Sequence, residues 1–179
     1  VLSDICLHIP AGQTVGILGP TGSAKTSLVQ LIPRLYDCSA GRLTIDGRDV
    51  KDYPLDHLRD AVGMVLQKNT LFSGTIRENL SMGDRGAGEA QLCAALETAQ
   101  AADFVAEAGG RDAVLVQGGV NLSGGQRQRL SLARALVRGG AVLVLDDCTS
   151  ALDPATERRV LDGLERRPGP AGAPPTPGH

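Results

Sequence analysis

Apolar positions along this chain switch between the two-residue period of strands and the 3.6-residue period of helices, and the switches outline an alternating fold. Gln13-Thr14-Val15-Gly16-Ile17-Leu18 predicts a buried strand running into the glycine-rich stretch from Gly19 to Ala24, and Lys25 to Tyr36 reads as a helix that Pro33 kinks or ends. Leu43-Thr44-Ile45 followed by Asp46-Gly47 predicts a strand entering a tight turn, and Ala61 to Leu66 a further strand ending at Gln67. Between Thr75 and Val137 the pattern is mainly helical, with Thr75 to Leu80, Gln91 to Ala99 and Asp103 to Ala108 as short helices between Gly-rich breaks. Ser123 and Gln126 have the spacing of a capping box for a helix reaching about Val137, with Leu130, Ala133, Leu136 and Val137 as its apolar stripe. Ala141 to Leu145 is an aliphatic strand that delivers Asp146 and Asp147, and Pro154 suits the first turn of a short helix over Ala155 to Leu164. These elements predict an α/β core over residues 1–165 with a helical subdomain inserted at about 73–138. Residues 166–179, rich in Pro and Gly, read as a disordered tail.

Charge and composition narrow the chemistry. With 18 basic and 20 acidic residues the net charge is −2, which gives no polyanion-binding surface beyond a local phosphate site. Two Tyr, two Phe and no Trp remove the stacking platforms that single-stranded nucleic acids need, so no nucleic-acid partner is expected. Cys6, Cys38, Cys93 and Cys148 are scattered and form no C-x-x-C pair, so they read as reduced packing residues rather than as a metal or disulfide framework. The aliphatic run Ala141 to Leu145 is far short of the roughly 20 residues that a spanning helix requires.

Three phrases carry the chemistry. In Gly19-Pro20-Thr21-Gly22-Ser23-Ala24-Lys25-Thr26-Ser27, glycines let backbone N–H groups close on phosphate oxygens, a Lys reaches the terminal phosphates and a hydroxyl can hold Mg²⁺. Leu122-Ser123-Gly124-Gly125-Gln126 opens a helix whose N-terminus can face an anion. Ala141-Val142-Leu143-Val144-Leu145-Asp146-Asp147 supplies carboxylates at the end of a strand. In this order the three resemble the Walker A, signature and Walker B motifs of the ATP-binding domain of ATP-binding cassette (ABC) transporters, over roughly residues 1–165. The resemblance implies a P-loop NTPase core that binds ATP and Mg²⁺. It implies that Lys25 contacts the β and γ phosphates, and that Thr26, Asp146 and Gln67 serve the metal. Gln67 resembles the Q-loop residue, and Ser150-Ala151-Leu152-Asp153 the D-loop between two sites; on residues alone these are also a polar residue after a strand and an ordinary turn. Leu71-Phe72-Ser73-Gly74-Thr75-Ile76-Arg77-Glu78-Asn79-Leu80 resembles the exporter branch. In that family the signature completes the ATP site of the opposite subunit. The implied partners are therefore a second nucleotide-binding domain and a transmembrane domain, with attachment to the cytoplasmic face of the plasma membrane.

Two departures from the family pattern change the expectation. Ala24 stands where the pattern has Gly before the Lys, and its methyl group costs strain if the backbone there needs positive φ. Asp147 stands where exporters usually have the Glu that polarises the attacking water, and it is about one methylene shorter. A misplacement of about 1 Å can cost about 10²-fold in rate, so the resemblance implies a degenerate, slow site in one half of a heterodimer. Asp147 acting through a longer water bridge is the competing reading. The adenine-stacking aromatic of the family would lie upstream of Val1, and the Ala173 to Gly178 stretch cannot form the strand that would present His179 as the family's switch residue. The chain accordingly reads as truncated at both ends. Two rival functions stand beside the exporter reading: a nucleotide-binding module without turnover, and a non-transport ABC ATPase such as a DNA-repair enzyme, whose long heptad insertion is not seen here.

Overall fold

The computed structural model describes residues 2–67 and 70–167. Its core is a parallel pair of strands, β3 (Val62–Val65) and β6 (Val142–Leu145), in register from Val62 opposite Val142 to Val65 opposite Leu145. β6 is aliphatic along its length and β3 carries no polar side chain, as strands covered on both faces are. The backbone N–H of Asp146 donates to Val65 O at 2.9 Å, which extends the ladder past β6 and sets Asp146 beside the start of the segment leading to Gln67. Ahead of this pair, β1 (Thr44–Ile45) and β2 (Arg48–Asp49) form an antiparallel hairpin. Its two central residues, Asp46 (φ 52°) and Gly47 (φ 76°), are both left-handed, the geometry of the twisted two-residue turns that Asp-Gly favours. A third pair, β4 (Gly74–Thr75) with β5 (Val114–Leu115), joins the two ends of the 76–113 segment.

The helices are α1 (Lys25–Gln30), α2 (Leu55–Asp60), α3 (Ile76–Ser81), α4 (Glu89–Thr98), α5 (Ala102–Glu107), α6 (Gly124–Arg138) and α7 (Pro154–Glu165). Helix α6 is the spine of the molecule, packing against α3, α4 and β3. All four residues of its expected stripe, Leu130, Ala133, Leu136 and Val137, are buried. The expected capping boxes and caps form where the sequence places them. Ser123 Oγ accepts from Gln126 N at 3.2 Å while Gln126 Oε1 accepts from Ser123 N at 2.9 Å, and Asp153 Oδ1 accepts from Thr156 N at 3.0 Å ahead of Pro154. An ion-pair cluster in which Arg77 meets Asp112 and Glu89, and Arg111 meets Glu89, ties α3 and α4 to the loop before β5.

Two sequence expectations are corrected. Residues 13–18 form no strand; Val15, Ile17 and Leu18 are 41%, 37% and 96% exposed. An apolar run becomes a strand only when a neighbouring strand accepts its backbone hydrogen bonds, and β3 and β6 pair only with each other among the described residues. Helix α1 also stops at Gln30, well before Tyr36. The N–H groups of Leu31 and Ile32 bond three residues back, to Leu28 and Val29, and Pro33 has no N–H with which to resume the four-residue ladder. At the other end, Arg167 Nη2 donates to Leu136 O and Gly139 O at 3.4 and 3.3 Å, so the described chain finishes against the end of α6. The remainder of the expected tail, from residue 168, lies outside the described residues.

Asn79 is 2% exposed, and it fixes the turn from Phe72 to Thr75. Its Oδ1 accepts from Phe72 N at 2.8 Å, and its Nδ2 donates to Phe72 O and Thr75 O at 2.9 and 3.0 Å. Asn79→Ala leaves those backbone groups without a partner, and a stability loss of about 2–3 kcal/mol is expected in urea unfolding. A loss below about 0.5 kcal/mol would mean that water replaces the amide.

Candidate functional site

The glycine-rich loop turns on itself before α1. Ser23 N donates to Pro20 O at 3.2 Å, Gly22 has φ 84°, and Ala24 has φ 58° at the N-cap of α1. The Lys25 ammonium folds back over the loop and donates to Gly19 O, Pro20 O and Ser23 Oγ at 2.6, 2.9 and 3.2 Å. All three donors of the ammonium are therefore engaged within the loop, and a phosphate would have to exchange with those acceptors. Thr26 and Ser27 follow in the first turn of α1, half-buried and exposed respectively. The Lys25 ammonium and Ser23 N–H bond within the loop, Ala24 O accepts from Leu28 N at 3.0 Å, and no hydrogen bond among the described residues links Gly19–Lys25 to Asp146 or Asp147.

A second cluster forms at the carboxyl ends of β3 and β6, where open parallel sheets place their ligands. Gln67 Nε2 approaches Asp147 Oδ2 at 3.4 Å, a long and weak bond. Asp147 itself has φ 52°. Asp146 Oδ2 is buried with no hydrogen-bond partner among the described residues. A buried carboxylate oxygen without a donor costs desolvation, and an oxygen-seeking cation or its water would satisfy it. Mg²⁺ takes oxygen ligands, and the Asp146 and Asp147 carboxylates with Gln67 are the oxygen-bearing groups at these strand ends, although no group of three or more His, Cys, Asp or Glu among the described residues is placed to hold an ion by itself. Next to it Cys148 is buried, and burial pushes its thiol up to about 11, which leaves it a protonated packing group.

The third cluster lies at the start of α6. Ser123, Gly124 and Gly125 line a cleft of about 330 Å³ together with Arg129, Ala151, Leu152, Asp153 and Thr156. A Cβ at Gly125 would stand 2.9 Å from Ala151 O, so only glycine lets the 150–153 loop lie this close to the helix. Arg129 projects to the same cleft. Its Nη1 donates to Gln100 O at 2.6 Å, its guanidinium sits 4.8 Å from the Phe104 ring centre, and burial pulls its pKa down while Asp153 opposes that. Helix N–H groups and an arginine on one cleft make a surface for an anion. Asp153 is held below its usual carboxylate value, first by the Thr156 side chain and then by Thr156 N–H.

The profile of the ABC transporter family matches residues 2–150. The chain belongs to the ABC transporter family. It is 45% identical over 166 residues to an ATP-dependent lipid A-core flippase of Desulfotalea psychrophila, covering 92% of this chain and 29% of the relative. It is 42% identical over 167 residues to the putative multidrug export ATP-binding/permease protein YgaD of Bacillus subtilis, over 93% of this chain and 29% of the relative. Among solved structures it is similar to a bacterial Atm1-family ABC exporter with ATP bound, with a TM-score of 0.81 and 40% identity, over 86% of this chain and 27% of that one. The ABC domain described here thus spans less than a third of these relatives' length and corresponds to an exporter's nucleotide-binding part. No helix among its described residues is long and apolar enough to cross a membrane.

Sequence reasoning missed Gln128 and Arg129, two residues past the signature. Gln128 lies one helical turn before Leu132 and two before Ala135, all buried, so a polar residue on an apolar stripe was the available signal.

Positive φ at Ala24 supplies the condition on which its methyl group costs strain. Ala24→Gly is expected to stabilise the loop by about 1 kcal/mol, tightening ATP binding up to about fivefold in a fluorescent-nucleotide titration. Unchanged affinity would show that the loop relaxes on binding. The depressed Asp153 contributes stability that is full above its unfolded pKa and is lost as pH falls through its lower folded value. Asp153→Asn is therefore expected to flatten the fall of the urea midpoint as pH drops below the usual carboxylate value, read against the parent chain.

Proposed function

We propose that this domain is the ATP-binding subunit of an ABC exporter, binding ATP and Mg²⁺ at an interface with a second nucleotide-binding domain and hydrolysing it slowly at its own Walker site. The observation that carries the two-subunit reading is the signature cleft. It is lined by Ser123, Gly124, Gly125 and the 150–153 loop, and by none of Gly19–Ser27, Asp146 or Asp147. An anion-directed helix end with no phosphate loop of its own chain in its cleft suits a nucleotide brought by another subunit. The partner's catalytic carboxylate then sits opposite this signature. The pair, attached to transmembrane segments, works on the cytoplasmic face of the plasma membrane.

At this chain's own site the phosphate loop cradles the nucleotide with the N–H groups of Gly19–Lys25, and the Lys25 ammonium leaves its loop acceptors for the terminal phosphates. Thr26, Asp146 and Gln67 would hold Mg²⁺, which withdraws charge from the β and γ oxygens. Asp147 orients the attacking water, with Gln67 against its Oδ2. Two features favour slow chemistry: the short Asp147 side chain and the strained Ala24 loop. The same features support the alternative of a binding module with no turnover.

The test is ATPase activity of the reconstituted transporter under single substitutions. Ser123→Arg, which puts bulk and charge into the signature cleft, is expected to abolish coupled hydrolysis, whereas Lys25→Ala leaves a measurable fraction. Equal and complete loss from both would replace the asymmetric pair with two equivalent sites. Asp147→Glu is expected to raise turnover at this site about tenfold or more with the partner's site silenced. Single-turnover experiments separate slow hydrolysis from none.

A further inference from the structure

Gln128 is 7% exposed, sits in the second turn of α6 and uses three of its four hydrogen-bonding positions on one short stretch of chain. Its Nε2 donates to Asp147 O at 3.3 Å and to Ser150 Oγ at 2.9 Å. Its Oε1 accepts from Ala151 N at 2.9 Å. Ser150 Oγ in turn donates to Asp147 O at 3.3 Å, so that carbonyl receives two donors. We propose that Gln128 is a positioning residue for hydrolysis. It locks the left-handed backbone of Asp147 and ties that carboxylate to the signature helix.

The argument is one of over-determination. A non-glycine residue at φ 52° persists only where its surroundings hold it, and a carbonyl fixed by two donors cannot rotate its peptide without breaking both. Turning about the Asp147 N–Cα bond, with Asp146 N held to Val65 O, would carry this carbonyl off both donors and swing the side chain away from Gln67 Nε2, 3.4 Å from Oδ2. Because Gln128 rides on the helix that Ser123 caps, a shift of that helix on meeting an anion moves the same amide. Gly125 against Ala151 O makes a second contact between helix and loop, so the two cannot slide independently. The signature cleft and Asp147 thereby become mechanically linked through one buried side chain. This inference rests on the ATP-hydrolysis reading above.

Gln128→Met keeps the length and removes all three bonds; Gln128→Glu keeps the acceptor for Ala151 N and removes the donors. In the complete transporter, with the partner's Walker site silenced, Gln128→Met is expected to lower kcat about tenfold or more while KM and fluorescent-nucleotide affinity stay within about twofold. Added to Asp147→Asn, it is expected to lower kcat no further, because it acts through that carboxylate. Further loss on top of Asp147→Asn, unchanged kcat, or equal changes in kcat and affinity that follow only a lowered Tm would overturn the proposal. Hydrogen exchange gives a readout that needs no turnover: Gln128→Met is expected to speed exchange of the Ala151 amide at least about tenfold, leaving the β6 amides protected. If Gln128→Met fails to fold, Ser150→Ala, at an exposed position, replaces it, with a smaller kcat loss expected and an unaltered kcat counting against the lock. A parent transporter that neither binds nor hydrolyses ATP would sink the functional reading alone, and exchange at Ala151 would still decide the tie.

Discussion

The approach of α6 to the loop after β6 constrains most of the molecule. At Gly125 the helix backbone comes close enough to Ala151 O that a Cβ would sit at 2.9 Å, and Gln128 closes the same contact one turn later with three hydrogen bonds. The rest of α6 is committed to burial against α3, α4 and β3, with Leu130, Leu132, Ala133 and Val137 at 1% exposure or less. A helix pinned along its length and touched by backbone at its start cannot tilt without disturbing the strand-end carboxylates. The small residues at 124 and 125 therefore answer a packing demand as well as leaving helix N–H groups open to an anion. Both roles follow from the absence of side chains.

Elements whose signals are local were legible in the sequence. The Asp46-Gly47 turn, the Ser123–Gln126 capping box and Pro154 at the start of α7 each depend on residues within four positions of one another, and each is found where expected. The strand at 13–18 is a different kind of expectation. Apolar content says that a segment can be buried, whereas strand formation depends on a neighbouring edge, which periodicity does not encode. Pro33 was recognised as a breaker, but the three-residue bonding that begins at Leu31 could not be read from propensity alone.

The candidate site divides along the same line. Asp146, Asp147 and Gln67 could be chosen as residue types at strand ends, and the 3.4 Å approach of Gln67 to Asp147 brings together two residues 80 positions apart. Gln128 was not chosen, because its partners lie 19 to 23 residues away and nothing in its own heptad names them. Asn79 sat inside a phrase read only as a likeness, and its three bonds to Phe72 and Thr75 give that phrase a mechanical reason. In both cases a buried amide does what a short sequence window cannot reveal: it satisfies backbone groups of a distant or irregular segment.

The two departures from the family pattern share a backbone state, and this changes how each is weighed. Ala24 and Asp147 both lie in the left-handed region, at φ 58° and 52°. Alanine has no polar atom to compensate the Cβ contact that this region imposes, so Ala24 carries strain with no offset. Aspartate tolerates the region better, since its short polar side chain can bond locally. A glutamate at 147 would gain reach toward a water and lose some of that tolerance, so length and backbone preference act in opposite directions there. How they balance depends on how firmly the Asp147 carbonyl is held, and both its donors, Gln128 and Ser150, come from outside the residue. On the proposed reading, the reach of a carboxylate at this position is therefore a property of α6 and the 150–153 loop as much as of the side chain itself.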